Sequence, residues 1–308
     1  MQLNELRIPE IKKYIINNPE TYVFSALAAS IDGEYNFISS DIPQTGILEV
    51  SMDAKFLIND GQHRKAAIMA AINENEKIGD ETISVVFYED RGLTRSQQMF
   101  TDLNKHAVKT SNSIAELYDS RDALAVVTRE VIANISFLNE YVDKERDNLG
   151  KYSSALFTLN TFYTANKRIL KRNRCDKNFS TFLDVFWTNV TLHMQPWMEL
   201  VNKEISKREL REQYIATQAV VIQAFGRVGA YLFENYDCDA VNQLIKGIEK
   251  INWKRNSEDW KLRVIRSNGR MINNTNAILL AGNVIKKYLG LPLTDDELTA
   301  EEKFNNII

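Results

Sequence analysis

Asp60, Gly61, Gln62, His63 and Arg64 stand together in FLINDGQHRKAAI, between an apolar run and an Ala-rich one. Residues of these types at this spacing suit phosphate chemistry. Gly61 lets a backbone approach a ligand closely, and Arg64 offers a forked donor to phosphate oxygens. His63 is a donor or an acid–base group that Asp60 could orient. A capped turn explains the same residues: Asp60 as N-cap, Gly61 for its φ angle, Arg64 on the surface. Spacing alone does not separate the two readings.

A second candidate is FTDLNKHAVKTSNSI, residues 100–114. Read as a helix, it places Asn104 and Ala107 on the face of Phe100 and Leu103. A polar Asn beside an apolar stripe needs a partner, which a backbone group or a phosphate would supply. Lys105, His106 and Lys109 occupy neighbouring faces, and Thr110, Ser111 and Ser113 add hydroxyls. An amphipathic helix followed by an N-cap is the plainer account.

Charge gathers in two places. Lys167, Arg168, Lys171, Arg172, Arg174 and Lys177 stand against one acid, Asp176. Lys254, Arg255, Lys261, Arg263, Arg266 and Arg270 stand against Glu258 and Asp259, with Trp253 and Trp260 interleaved. Basic residues with aromatics between them are what a phosphate- and base-stacking surface requires. A solvated helix face, its long basic stems covering apolar area, is the alternative. The whole chain carries a net charge of −3, so nucleic-acid binding would have to come from such local patches.

These groups need a scaffold. KFLIND reads as a strand and KAAIMAAINENEKI as a helix, so the DGQHR residues sit on a strand–turn–helix whose first-turn N–H groups favour an anion. IPEIKKYIINN is a short amphipathic helix. YVFSAL, GILEVSM and ETISVVFYED are strand candidates, with a turn at Asp32-Gly33. SQQMFTDLNKHAV has helical spacing. Beyond Ser120 the periodicity is helical in RDALAVVTREVIANISFLNEYV, ALFTLNTFYTANKRIL, FSTFLDVFWTNVTLHM, ELREQYIATQAVVIQAFGRVGAYLFENY, AVNQLIKGIEKI and NTNAILLAGNVIKKYLGL. The expected fold is α+β, mostly α: a small mixed α/β domain over 1–120, then an all-helical domain over 121–308 that carries the basic clusters. The acidic tail TDDELTAEEKFNNII is expected to fray.

Other chemistries lack their motifs. GxxxxGK[ST], GxSxG, HExxH and CxxC are absent, and His63, His106 and His193 are too scattered for a metal site. His193 reads as structural. Cys175 and Cys238 match no metal spacing, and free thiols in a cytoplasmic protein are the simplest reading. No apolar run reaches the ~18 residues needed to span a bilayer.

NDGQHRKAAI followed by FTDLNKHAVKTSNSI resembles the DGQHR-domain family, and more closely the DndB family of DNA phosphorothioate (sulfur) modification systems. The resemblance runs on through KYSSALFTLN, QAVVIQAFGRVG and NGRMINNTNAILLAGNVIKKYLGLPLT, and so covers most of the chain. Family members usually carry further sequence before the segment resembling RIPEIKKYI, so a strand would be missing here, through truncation or a divergent start. The resemblance implies a ParB/sulfiredoxin-like N-terminal fold, with Gly61, Gln62, His63 and Arg64 at a nucleotide's phosphates and Asn104 in a second motif. It also implies binding of double-stranded DNA at an operator or promoter and transcriptional control of the modification genes. Further partners would be other sulfur-modification proteins and a second copy of the chain.

Three functions follow as expectations. The first is a DNA-binding transcriptional regulator, with a nucleotide as a regulatory ligand rather than a consumed one. The second is a nucleotide hydrolase or nuclease of the ParB-like superfamily in phage defence, with Asp60 and His63 as catalytic candidates. The sequence shows no acidic triad for a two-metal site, which counts against the nuclease. The third is an interaction module of a modification complex without DNA contact.

Overall fold

The computed structural model describes residues 5–89, 98, 110–150 and 152–306. Asn104 and almost all of SQQMFTDLNKHAV lie outside the described residues. The chain is α+β and mostly α, with its small sheets near the N-terminus. It divides into two compact units, Met1–Lys109 and Thr110–Ile308. Helix Asn112–Tyr118 therefore belongs to the second unit, although a boundary at 120 would have put it in the first.

In the first unit, α1 (Ile8–Asn17) packs on α2 (Gln62–Ile72) around Ile15, Ala67, Ala71 and Ile78. The sheet has β1 (Leu27–Asp32) at its centre, buried from Leu27 to Ile31. Hairpin strands β2 (Tyr35–Ser39) and β3 (Gly46–Val50) pair separately. Strand β4 (Lys55–Asp60) runs antiparallel to β1, and β5 (Val85–Glu89) runs parallel to it. The β1–β4 register pairs Ala29 with Ile58 but Ala28 with Asp60, so Asn59 is an extra, bulged residue. Its side chain is buried and donates to Ser30 Oγ at 2.5 Å. The central strand begins at Leu27, five residues after the expected YVFSAL start. There the backbone takes up the ladder, with Leu27 N–H donating to Ser84 O.

The second unit is helical around one large core. Its helices are α3 (Asn112–Tyr118), α4 (Ala123–Asn134), α5 (Ser136–Tyr141), α6 (Leu159–Leu170) and α7 (Lys177–His193). Then come α8 (Gln195–Val201), α9 (Lys207–Gln213), α10 (Ala219–Asn235), α11 (Cys238–Leu244), α12 (Thr275–Leu289) and α13 (Asp295–Asn305). Short strands β6 (Val142–Asp143) and β7 (Phe157–Thr158) pair ahead of α6. Helix α10 lies at the centre against α6 and α12. The approach to α6 is close: a Cβ on Gly226 would stand 2.7 Å from Ala165 O. A buried chain of hydrogen bonds, Trp187 Nε1–H to Asn166 Oδ1 and Asn166 Nδ2–H to Thr128 Oγ1, ties α7, α6 and α4 together.

Three expectations are corrected here. The continuous helix expected over 209–236 breaks at Tyr214–Gln218, because Ile215 N–H donates to Trp253 O and Arg255 N–H donates to Gln213 O. Those inter-segment bonds replace the helical ones. The acidic tail does not fray through its described length. Thr294 and Glu297 form a capping box at the start of α13, and Glu297 and Phe304 are buried. Trp253 and Trp260 are not a stacking surface for bases. They stack on each other at 5.4 Å inside the core, where burial of their large apolar area outweighs exposure beside the cations.

Candidate functional site

Gly61 is the N-cap residue of α2, at φ 91°, a left-handed conformation that favours glycine. The same missing Cβ leaves room for Leu27 and for Arg64, which folds back over the turn. Arg64 Nη2 pairs with Asp60 Oδ2 at 2.5 Å. Its Nη1 donates to Ser25 O at 2.5 Å, to Ser25 Oγ and to Ala26 O at 3.4 Å. Gln62 Nε2 donates to Ile58 O at 3.0 Å, and His63 is half-buried. The turn thus brings Asp60, Gly61, Gln62, His63 and Arg64 together. Its guanidinium is committed to holding the segment ahead of β1 against the end of β4. What remains for an anion is the first turn of α2, which has no side-chain cap.

The hydroxyls after Asn104 have a structural role. Ser111 Oγ accepts from Ile114 N–H as the N-cap of α3, and both Asp147 carboxylate oxygens accept from the N–H groups of Asn112 and Ser113, each at 2.8 Å. Next to this helix start, burial and then the charges of Asp147 and Asp122 push the Glu116 carboxyl up to about 7.

The two basic clusters separate into outward and inward residues. In the first, Lys167, Arg172 and Arg174 are exposed at the end of α6 and on the turn into α7. Lys171 is exposed but pairs with Glu234 at 2.8 Å, and Arg168 turns inward to donate to Gln223 Oε1 at 2.7 Å. In the second, Arg266 and Arg270 close a tight turn: Arg266 N–H donates to Arg270 O, and Gly269 sits at φ 76°. Both side chains are exposed. Among the described residues none of Arg172, Arg174, Arg266 and Arg270 has an ion-pair partner. Lys254 is exposed with its Nζ over the Tyr214 ring. Arg255 is drawn in to Arg211 O, and Arg263 pairs with Glu301 at 2.7 Å above the Phe304 ring. The last two brace the fold.

Two cavities in the second unit went unread in the sequence. One, of about 710 Å³, lies at the starts of α6 and α10 and is lined by Tyr152, Thr158, Lys207, Arg211 and Gln218 among others. The other, of about 360 Å³, is lined by Arg168, Lys171, Arg227, Lys286 and Glu297. A signal was available for the second: Arg227 in AFGRVGAYL and Lys286 in ILLAGNVIKKYL are charges inside apolar helices, which need buried partners. No cluster of metal-ligating side chains occurs among the described residues, nor is any described helix long and apolar enough to cross a membrane.

The architecture defines a class: a small sheet unit built around a DGQHR turn, followed by a helical unit that presents on two turns arginines with no ion-pair partner among the described residues. Over residues 2–292 the chain matches the DndB family, described as DNA-sulfur modification-associated, and it belongs to that family. Membership ties it to DNA sulfur modification. No curated protein and no solved structure matches the chain.

Proposed function

We propose that the chain is a double-stranded-DNA-binding transcriptional regulator of a DNA sulfur-modification gene cluster. The observation that carries this reading is the pair of exposed arginine turns, Arg172/Arg174 and Arg266/Arg270, in a chain of net negative charge. Exposed guanidinium groups on tight turns, with no ion-pair partner among the described residues, suit phosphate contacts, and such contacts release counterions. Lys167 and Lys254 are further exposed cations of the two clusters. In this reading the DGQHR turn is a strut, and any phosphate there binds through the N–H groups of α2 rather than through Arg64.

The test is a mobility-shift titration of the promoter fragment of the modification genes against random duplex of equal length, at two salt concentrations. Tighter binding to the promoter supports regulation, and equal binding removes the operator-specific part. A hydrolase would use the same turn differently. Phosphate release from ATP, GTP or CTP that disappears in His63→Ala would favour catalysis over regulation.

A further inference from the structure

We propose that the half-open cavity lined by α6, α10, α12 and the start of α13 binds a small phosphate-class dianion, with Arg168 and Arg227 as its principal donors. Its principal donors are not the exposed arginines, and phosphate binding there does not depend on DNA binding.

The cavity is unbalanced in charge. Arg168, Lys171, Arg227 and Lys286 line it, against Glu234 and Glu297. The two carboxylates are taken: Glu234 by Lys171 at 2.8 Å, Glu297 by Lys286 at 2.7 Å and by Arg227 Nη2 at 3.3 Å. Arg168 is left with a neutral partner, the buried Gln223, whose own amide is spent on Thr161 O. Arg227 Nε is buried with no partner among the described residues. Burial and then the charge of nearby Arg227 lower the Arg168 pKa, as expected of two cations that share one cavity wall.

A dianion with several acceptor oxygens answers each of these features. It supplies the missing negative charge, gives Arg227 Nε an acceptor and lets Arg168 use its remaining donors. The volume of about 360 Å³ is at the lower end of small-ligand pockets, which fits inorganic phosphate or a compact phosphomonoester. Thr294 adds a hydroxyl to the wall. The ion pair Lys286–Glu297 is part of the cavity wall and Glu297 also meets Arg227, so ligand binding and the docking of α13 meet at one residue, Glu297.

The experiment uses the full chain. Binding of inorganic phosphate and of a nucleoside monophosphate is measured by calorimetry and by thermal unfolding, against chloride at matched ionic strength. The expected result is a phosphate-dependent rise in Tm and at least tenfold weaker binding in Arg168→Gln, which removes no carboxylate pair. Phenylglyoxal modification of the wild-type chain provides a second reading that needs no variant. Phosphate should protect the peptides containing Arg168 and Arg227. No effect beyond chloride, binding unchanged in Arg168→Gln, or protection by duplex DNA but not by phosphate would each overturn the proposal.

Discussion

Lys286 and Glu297 form an ion pair at 2.7 Å in which the side chains are 2% and 5% exposed. It joins the last turns of α12 to the first turn of α13, and the Lys286 ammonium also lies 4.1 Å from the centre of the Tyr231 ring. Glu297 Oε2 accepts the Thr294 N–H at 3.0 Å as well, so one carboxylate both caps α13 and neutralises a buried cation.

That double duty sets the first prediction. Glu297→Gln leaves Lys286 buried without its counter-charge and should cost about 3–5 kcal/mol. Lys286→Met with Glu297→Leu should recover only part of this, because the cap is lost, at about 1 kcal/mol, and Arg227 loses the carboxylate it meets at 3.3 Å. Burial raises the Glu297 pKa, but the bonds from Lys286 and Thr294 outweigh it and hold the carboxyl below its ordinary 4.5. Its stabilising contribution is therefore present above pH 4.5 and lost as pH falls through the depressed value. Urea titrations between pH 3 and 6 should show a shallower acid dependence in Glu297→Gln than in the wild type.

Glu116 has the opposite sign. Its folded pKa is pushed up to about 7, so the folded state holds a proton that the unfolded state has released. This contribution is present below about pH 4.5 and lost as pH rises toward 7. Glu116→Gln should flatten that loss and raise Tm at pH 8 by about 2–4 °C, taking a gain near 1 kcal/mol after solvent screening. All four tryptophans lie in the second unit, so their fluorescence reports this melt directly. An unchanged pH profile would contradict the assignment.

In the first unit the DGQHR turn should behave as a strut. Gly61→Ala puts an L side chain at φ 91°, a backbone cost of about 1–2 kcal/mol, and drives a methyl into Leu27. Arg64→Lys loses the fork that spans Asp60 and Ser25. Either change should speed hydrogen exchange of the Leu27–Asp32 amides by tenfold or more. Exchange that stays at wild-type rates in Arg64→Lys would point instead to a guanidinium kept for a ligand.

How much of this the sequence could tell depends on whether the deciding interaction was local. The strand–turn–helix at Asp60–Arg64 and an N-cap among Thr110, Ser111 and Ser113 are short-range patterns that the sequence carries, and the structure assigns the cap to Ser111. The fate of each cation was not, because Arg168 and Gln223 are 55 residues apart and Arg263 and Glu301 are 38 apart. The buried Trp253–Trp260 pair shows the same limit: a Trp between charges looks exposed until Phe225, far upstream in the core, claims it. The order of the tail depends on a distant partner too. Its acidity suggested disorder, but one of those acids had a buried lysine waiting.

The proposed DNA contact leads to a quantitative expectation. Arg172, Arg174, Arg266 and Arg270 make no ion pair among the described residues, so replacing them removes cations without breaking internal bonds. Arg172→Ala with Arg174→Ala, and Arg266→Ala with Arg270→Ala, should leave stability unchanged within about 0.5 kcal/mol. Every phosphate that a variant no longer neutralises should reduce the slope of log K against log salt by about 1, so each double variant should lower it by about 2. Arg263→Ala is the contrasting control. It breaks the Glu301 pair and the stacking on Phe304, so it should lower Tm before it alters any salt slope. If the two double variants bind DNA with the wild-type slope while Arg263→Ala alone loses binding, the exposed turns are not the interface.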